Sequence, residues 1–211
     1  MKNFRLLSPL LALVLVLGAF TTPAAALEDP SLTATSAILV DVTYGTEVLY
    51  ERAAHERVYP TGLTKVMTAL LAVEAVERGE LSLDQQVTAS SGINQGIMAG
   101  ATIADIKVGE TVTVRDVLAC VMIPSANDAC NFLAEVVSGN ISTFVAAMNQ
   151  RSEELGCEDT HFTNPHGLHD SEQYSTAWDL FLICQAAMEN PTFRELASVG
   201  QYVVPATNVY D

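Results

Sequence analysis

Residues 59–79 read YPTGLTKVMTALLAVEAVERG. From Leu63 to Val76 the apolar side chains cover nearly the whole circumference of a 3.6-residue helix, the pattern of a helix buried on most sides. Gly79 stands where such a helix needs a left-handed residue to stop. A helix of this kind is the centre of a domain, and the rest of the chain has to supply its neighbours.

Upstream, Ser36 to Val42 and Thr46 to Glu51 are β-rich runs separated by Thr43-Tyr44-Gly45, a hairpin pattern that predicts two antiparallel strands. Downstream, residues 80–112 are weakly patterned and glycine-punctuated, and read mostly as loop. Thr113 with Asp116 resembles a capping box opening a helix to about Ile123, halted by Pro124. Ser125 is placed to cap the next helix, which ends near Gly139. Further helices are expected from about Ser142 to Leu155, with Gly156 after it, and from Ser175 to about Met188. Tyr202 to Pro205 reads as a short strand. Two strands followed by a run of helices predict an α+β domain. These elements are expected to cover only part of the central helix, leaving the apolar surface of an aggregation-prone chain.

The chain has 211 residues. Its first 26 read as an export leader: Lys2 and Arg5, an apolar run from Leu10 to Phe20, and the small residues Ala24-Ala25-Ala26 at the cleavage position. The apolar run is shorter than the ~20 residues a membrane span needs. Residues 27–211 then form one exported domain in the cell wall or periplasmic space. Removal of the leader leaves eight basic and 25 acidic residues, a net charge of −17. That balance argues against nucleic-acid binding and for solubility. Cys120, Cys130, Cys157 and Cys184 permit two disulfides in an exported chain. Three of them sit inside apolar helical stretches, where cysteine behaves as a small buried hydrophobe.

Three segments bear on chemistry. In Tyr59 to Lys65, at the mouth of the buried helix, the amine of Lys65 lies one turn from position 62. Serine enzymes that open amides through an acyl intermediate place a hydroxyl and a lysine at that spacing, with the helix N-terminus favouring nearby negative charge. Here position 62 is glycine. Thr61 shares a helical face with Lys65 but is one position displaced from the attacking geometry. Ser125-Ala126-Asn127 places a hydroxyl and an amide two residues apart on a tight loop, able to relay a proton and hold a carbonyl. Asn164-Pro165-His166-Gly167-Leu168 is a turn-rich loop with no chemistry evident in its composition. Cys157, His161, His166 and His169 have spacings that metal sites use. Surface and loop histidines are the simpler reading, and no metal or other cofactor is expected.

Taken in order, these segments resemble the low-molecular-weight penicillin-binding proteins, specifically the D-alanyl-D-alanine carboxypeptidases. The similarity runs from about Ser36 to Asn208. It is most specific in Asp159 to Leu168 and Tyr174-Ser175-Thr176-Ala177. The resemblance implies the β-lactamase/transpeptidase-like fold. It also implies removal of the terminal D-alanine from peptidoglycan stem peptides through an acyl-enzyme, with β-lactams as inhibitors. Carried over by position, Lys65 is the general base, Ser125 the proton relay and Asn127 a substrate ligand, while Gly62 occupies the nucleophile position. A class A β-lactamase shares the Ser-Lys spacing. Its Ser-Asp-Asn triplet, however, is Ser125-Ala126-Asn127 here, and the loop at Asn164 to Leu168 favours the carboxypeptidase. The family's closing Lys-Thr-Gly element is not found among the 211 residues. The expectation is therefore a chain that stops before the last strands, with an unpaired sheet edge and no catalytic activity. A noncatalytic peptidoglycan-binding protein and a class A β-lactamase-like enzyme are the alternative readings.

Overall fold

The computed structural model describes residues 31–210. The expected leader and its cleavage point at residues 1–26 lie outside them. Two compact units are distinguished: one includes residues 39–50, the other residues 35–38 and 51–210. Strands β1 (Ala37–Asp41) and β2 (Glu47–Arg52) pair in a two-stranded sheet. Gly45 in the connection takes φ +141.

The larger unit is built on helix α1, Thr64–Glu77. Met67, Ala69 and Ala72 are fully buried, and Leu70, Val73 and Ala75 nearly so. Its end is a Schellman turn, with Gly79 at φ +74 donating to Val76 O at 3.0 Å and Glu80 donating to Ala75 O at 3.0 Å.

Around it lie α2 (Val114–Met122), α3 (Asn127–Ser138), α4 (Ile141–Glu154), α5 (Ala177–Glu189) and α6 (Pro191–Ala197), and all five contact α1. These helices, with the loop at Pro165 and His166 against Thr68 and Lys65, bury the stretch from Met67 to Val73, while Lys65, Val66 and Val76 stay partly exposed. Helix α6 was absent from the sequence reading and supplies part of the enclosure. Its start carries a legible pattern, Pro191 in the first turn behind Asn190, whose Oδ1 accepts from Thr192 N at 2.9 Å and Phe193 N at 3.1 Å.

Two further expectations change. Within residues 80–112, read as loop, strand β3 (Gln86–Thr88) pairs antiparallel with β4 (Thr111–Thr113) in the register Val87 opposite Val112. Three-residue strands are too short to display a period. Tyr202 to Pro205 forms no strand. Side chains tie that segment down instead, Tyr202 donating to Asp116 Oδ1 at 2.8 Å and Thr207 to Glu110 Oε1 at 2.9 Å. Thr113 and Asp116 do form the capping box of α2. All four cysteines are free thiols.

Candidate active site

The chain enters α1 through a 3₁₀ turn, Thr61–Leu63, so position 62 lies exposed at the mouth of the buried helix. Gly62 has an ordinary backbone conformation, and a Cβ added there would meet nothing within 4 Å. Neither backbone nor space requires glycine. The residue before it is different: Thr61 holds φ +46, a left-handed conformation that a β-branched residue keeps only when its surroundings impose it.

Gly62, Lys65 and Ser125 line one cavity of about 240 Å³, with walls of Val66, Ala69, Val121, Met122, Phe193 and Ala197. Thr61 is not among the lining residues. A larger groove, about 460 Å³, runs along Glu74, Arg78, Gln150 and Arg151. It holds the Arg151–Glu74 ion pair at 2.8 Å and no nucleophile, so the chemistry belongs to the smaller cavity.

Lys65 is half-buried, and its Nζ donates to His166 O at 2.7 Å. Burial pushes its pKa below the usual lysine value, opposed by Cys130, which favours the neutral amine that a general base needs. Cys130 is fully buried against Ala126 O, and its thiol is pushed up to about 12 by burial. It stays protonated and is no substitute nucleophile.

Ser125 does not cap α3. The cap position falls on Ala126, which supplies no side-chain hydrogen bond, while Ser125 stands exposed at φ +60. The turn that denies it the cap leaves its hydroxyl free to face the cavity. Asn127 opens the helix, nearly fully buried, and its Oδ1 has no hydrogen-bond partner. A buried carbonyl left unpaired is unfavourable; Thr64 Oγ1 and Asn131 Oδ1 are buried without a partner too, and Asn127 is not among the residues lining the Gly62 cavity.

The loop at Asn164 to Leu168 explains itself only in three dimensions. Thr68 Oγ1 donates to Pro165 O at 2.6 Å, beside the Lys65 contact to His166 O. Gly167, at φ +82, packs so closely that a Cβ there would lie 1.8 Å from Thr61 O. The loop therefore braces both Lys65 and the strained residue preceding position 62. Behind it, the stretch from residue 159 is fastened by buried polar side chains. Asp179 Oδ2 accepts from Asp159 N at 2.9 Å and Thr160 Oγ1 at 2.7 Å, and Gln173 Oε1 from Thr163 N at 3.0 Å. His161 N donates to Tyr174 O at 2.9 Å, and Val58 N to Ser175 O at 2.7 Å. The two most distinctive sequence stretches are thus paired with each other and with the approach to Gly62.

Cys157, His161, His166 and His169 do not converge. Cys157 Sγ contacts Asp179 O, His161 Nδ1 lies 2.7 Å from Glu172 O, His166 Nδ1 accepts from Leu168 N at 3.2 Å, and His169 packs edge-on to Tyr59. Among the described residues no group of three or more histidine, cysteine or acidic side chains is placed to hold a metal.

The Lys65 amine and the exposed Ser125 hydroxyl share the cavity at the mouth of the buried helix, while the buried Asn127 carboxamide lies outside its lining at the start of α3, all on the fold of the penicillin-binding DD-peptidases. That fold is shared with penicillin binding protein 6B of Escherichia coli at a TM-score of 0.81 and 29% identity, covering 88% of this chain and 59% of that one. A D-alanyl-D-alanine carboxypeptidase of Mycobacterium tuberculosis superposes with a TM-score of 0.77 at 32% identity, over 87% of this chain and 67% of its own. The model of the D-alanyl-D-alanine carboxypeptidase family matches residues 23–205, and the chain belongs to that family. Among curated relatives, DacF of Bacillus subtilis is 36% identical over 191 residues, which are 88% of this chain and 48% of the relative. The chain spans about half the length of the curated relatives it matches.

Proposed function

We propose that this chain is an exported member of the serine D-alanyl-D-alanine carboxypeptidases that receives peptidoglycan stem peptides ending in D-Ala-D-Ala but, with Gly62, forms no acyl-enzyme at that position. Residues 1–26 are its cleaved leader. The observation that carries the reading is position 62 itself: a site open to a side chain and free of backbone constraint, in the cavity that Lys65 and Ser125 also line.

With a serine at 62, its Oγ attacks the carbonyl of the penultimate D-alanine while the Lys65 amine takes the hydroxyl proton. The backbone N–H of residue 62 faces the developing oxyanion, and Asn127 Oδ1 accepts from a substrate N–H. Ser125 passes the proton to the departing amine, D-alanine leaves, and water hydrolyses the ester. β-Lactams enter the same sequence as the first carbonyl. With glycine there is no attacking oxygen, and binding and electrostatics alone sustain at most a small residual rate.

Release of D-alanine from diacetyl-Lys-D-Ala-D-Ala tests this in the full-length gene product. The unchanged protein should release none and Gly62→Ser should release it. Turnover by the unchanged protein would refute the inactivity. A folded Gly62→Ser protein without turnover would refute the assigned roles.

A further inference from the structure

We infer that Asp128 is the positioning residue of this site: its buried carboxylate clamps the segment 102–106 to the start of α3 and so holds Ser125 and Asn127 at their stations. The inference rests on the function proposed for those two residues.

Asp128 is 1% exposed. Its Oδ1 accepts from Ala104 N at 2.9 Å and Ala129 N at 2.9 Å, and its Oδ2 from Ile106 N at 3.1 Å. Ala129 N is a helix-start donor with no intrahelical acceptor, and the helix dipole favours the negative charge there. The other two donors are remote in sequence and belong to a segment without regular structure. Between them Asp105 takes φ +62. A left-handed residue at that point turns the flanking N–H groups to one side, where they converge on an anion. The carboxylate thus makes charge-assisted bonds at once to its own helix and to the facing segment.

The clamp bears on the site through its neighbours. Asn127 N donates to Thr102 O at 2.9 Å and Ala126 N to Cys120 O at 3.0 Å, so the turn hangs between α2 and residues 102–106. Ser125 sits in that turn at φ +60, a conformation kept only where the surroundings over-determine it. One turn further along α3, Asn131 Nδ2 donates to Ile93 O at 3.0 Å and Gln95 O at 2.9 Å. The helix start therefore fastens Ile93, Gln95, Thr102, Ala104 and Ile106, and of these bonds those of Asp128 are the ones made with charge. Asp128→Asn turns an acceptor oxygen into an NH₂ group facing N–H donors. Segment 102–106 then separates from the helix, and the relay hydroxyl and substrate amide lose their register.

The test compares penicillin acylation per folded molecule, well below the melting temperature, in the full-length gene product carrying Gly62→Ser. Asp128→Asn in that background should slow acylation at least about tenfold, since displacements near 1 Å reach ~10²-fold. The control is Asp116→Asn, which removes a comparably buried carboxylate from the start of α2 and should leave acylation within about twofold. Equal rates for Asp128→Asn and its parent would overturn the inference. If the Gly62→Ser parent itself fails to acylate, the functional reading has failed, and the clamp is judged in the unchanged protein. There Asp128→Asn must accelerate amide exchange at Ala104 and Ile106 and shift the amide resonances of Ser125 and Asn127. Unmoved resonances would overturn it.

Discussion

Two glycines at the same mouth obey opposite constraints. Gly167 combines φ +82 with a backbone oxygen where its Cβ would go. Gly167→Ala is therefore expected to destabilise by more than about 2 kcal/mol, a strained conformation and a backbone shift together. Gly62→Ala should be neutral or stabilising by up to ~1 kcal/mol, through the unfolded chain alone. Urea unfolding of both variants checks the contrast, and a destabilised Gly62→Ala would mean that position 62 is not open. His166 gives a second residue-scale test. Burial, with Lys65 secondary, lowers its pKa to about 4, against about 6.5 in an unfolded chain. Between those values the unfolded state binds more protons, so stability falls as pH drops from about 6.5 to about 4 and this contribution is flat below. The loss should be at most about 3 kcal/mol and should disappear in His166→Gln, as read from unfolding midpoints across that range. Lys65 and the triplet at Ser125, of which Lys65 and Ser125 line one cavity with position 62, were singled out through the family resemblance. Gly167 and Asp128 were not, because a close approach across about a hundred residues and a clamp on an irregular segment leave no local pattern.

At the scale of elements, capping predicted the start of α2 and misassigned that of α3. Thr113 and Asp116 satisfy each other at the start of α2, with Thr113 N donating to Asp116 Oδ2 at 2.9 Å and Asp116 N to Thr113 Oγ1 at 3.1 Å. Thr113→Ala should lower stability by roughly 0.5–2 kcal/mol, and Asn190→Ala at α6 by a similar amount, both read by thermal or urea unfolding. Ser125 has the composition of a cap and does not act as one. Ser125→Ala should change stability by less than about 0.5 kcal/mol, and a loss of a full cap's magnitude would return the hydroxyl to a structural role. The sequence alone could not separate the two readings, since serine before a helix serves either. The distinction lies in one positive φ and the shift of the cap to Ala126.

Over the whole molecule, α1 is the element on which fold and site both depend. Its apolar circumference was readable from composition along one turn after another, whereas the identity of its neighbours was not, because the packing of five helices is a property of tertiary contacts. Leu70→Ala, 1% exposed inside this enclosure, should lose about 2–5 kcal/mol, with far-UV and near-UV signals falling in one transition. Separate transitions would show that the helices do not fold as a unit around α1. The 3₁₀ turn leading into the same helix presents position 62 to the cavity that Lys65 also lines. The most direct measurement is covalent labelling of the full-length gene product by a fluorescent penicillin, followed by denaturation and mass mapping. The unchanged protein should carry no label, and Gly62→Ser should carry one at residue 62. A label that survives denaturation on the unchanged chain, or a folded serine variant that stays unlabelled, would contradict the assignment of Gly62 as the missing nucleophile.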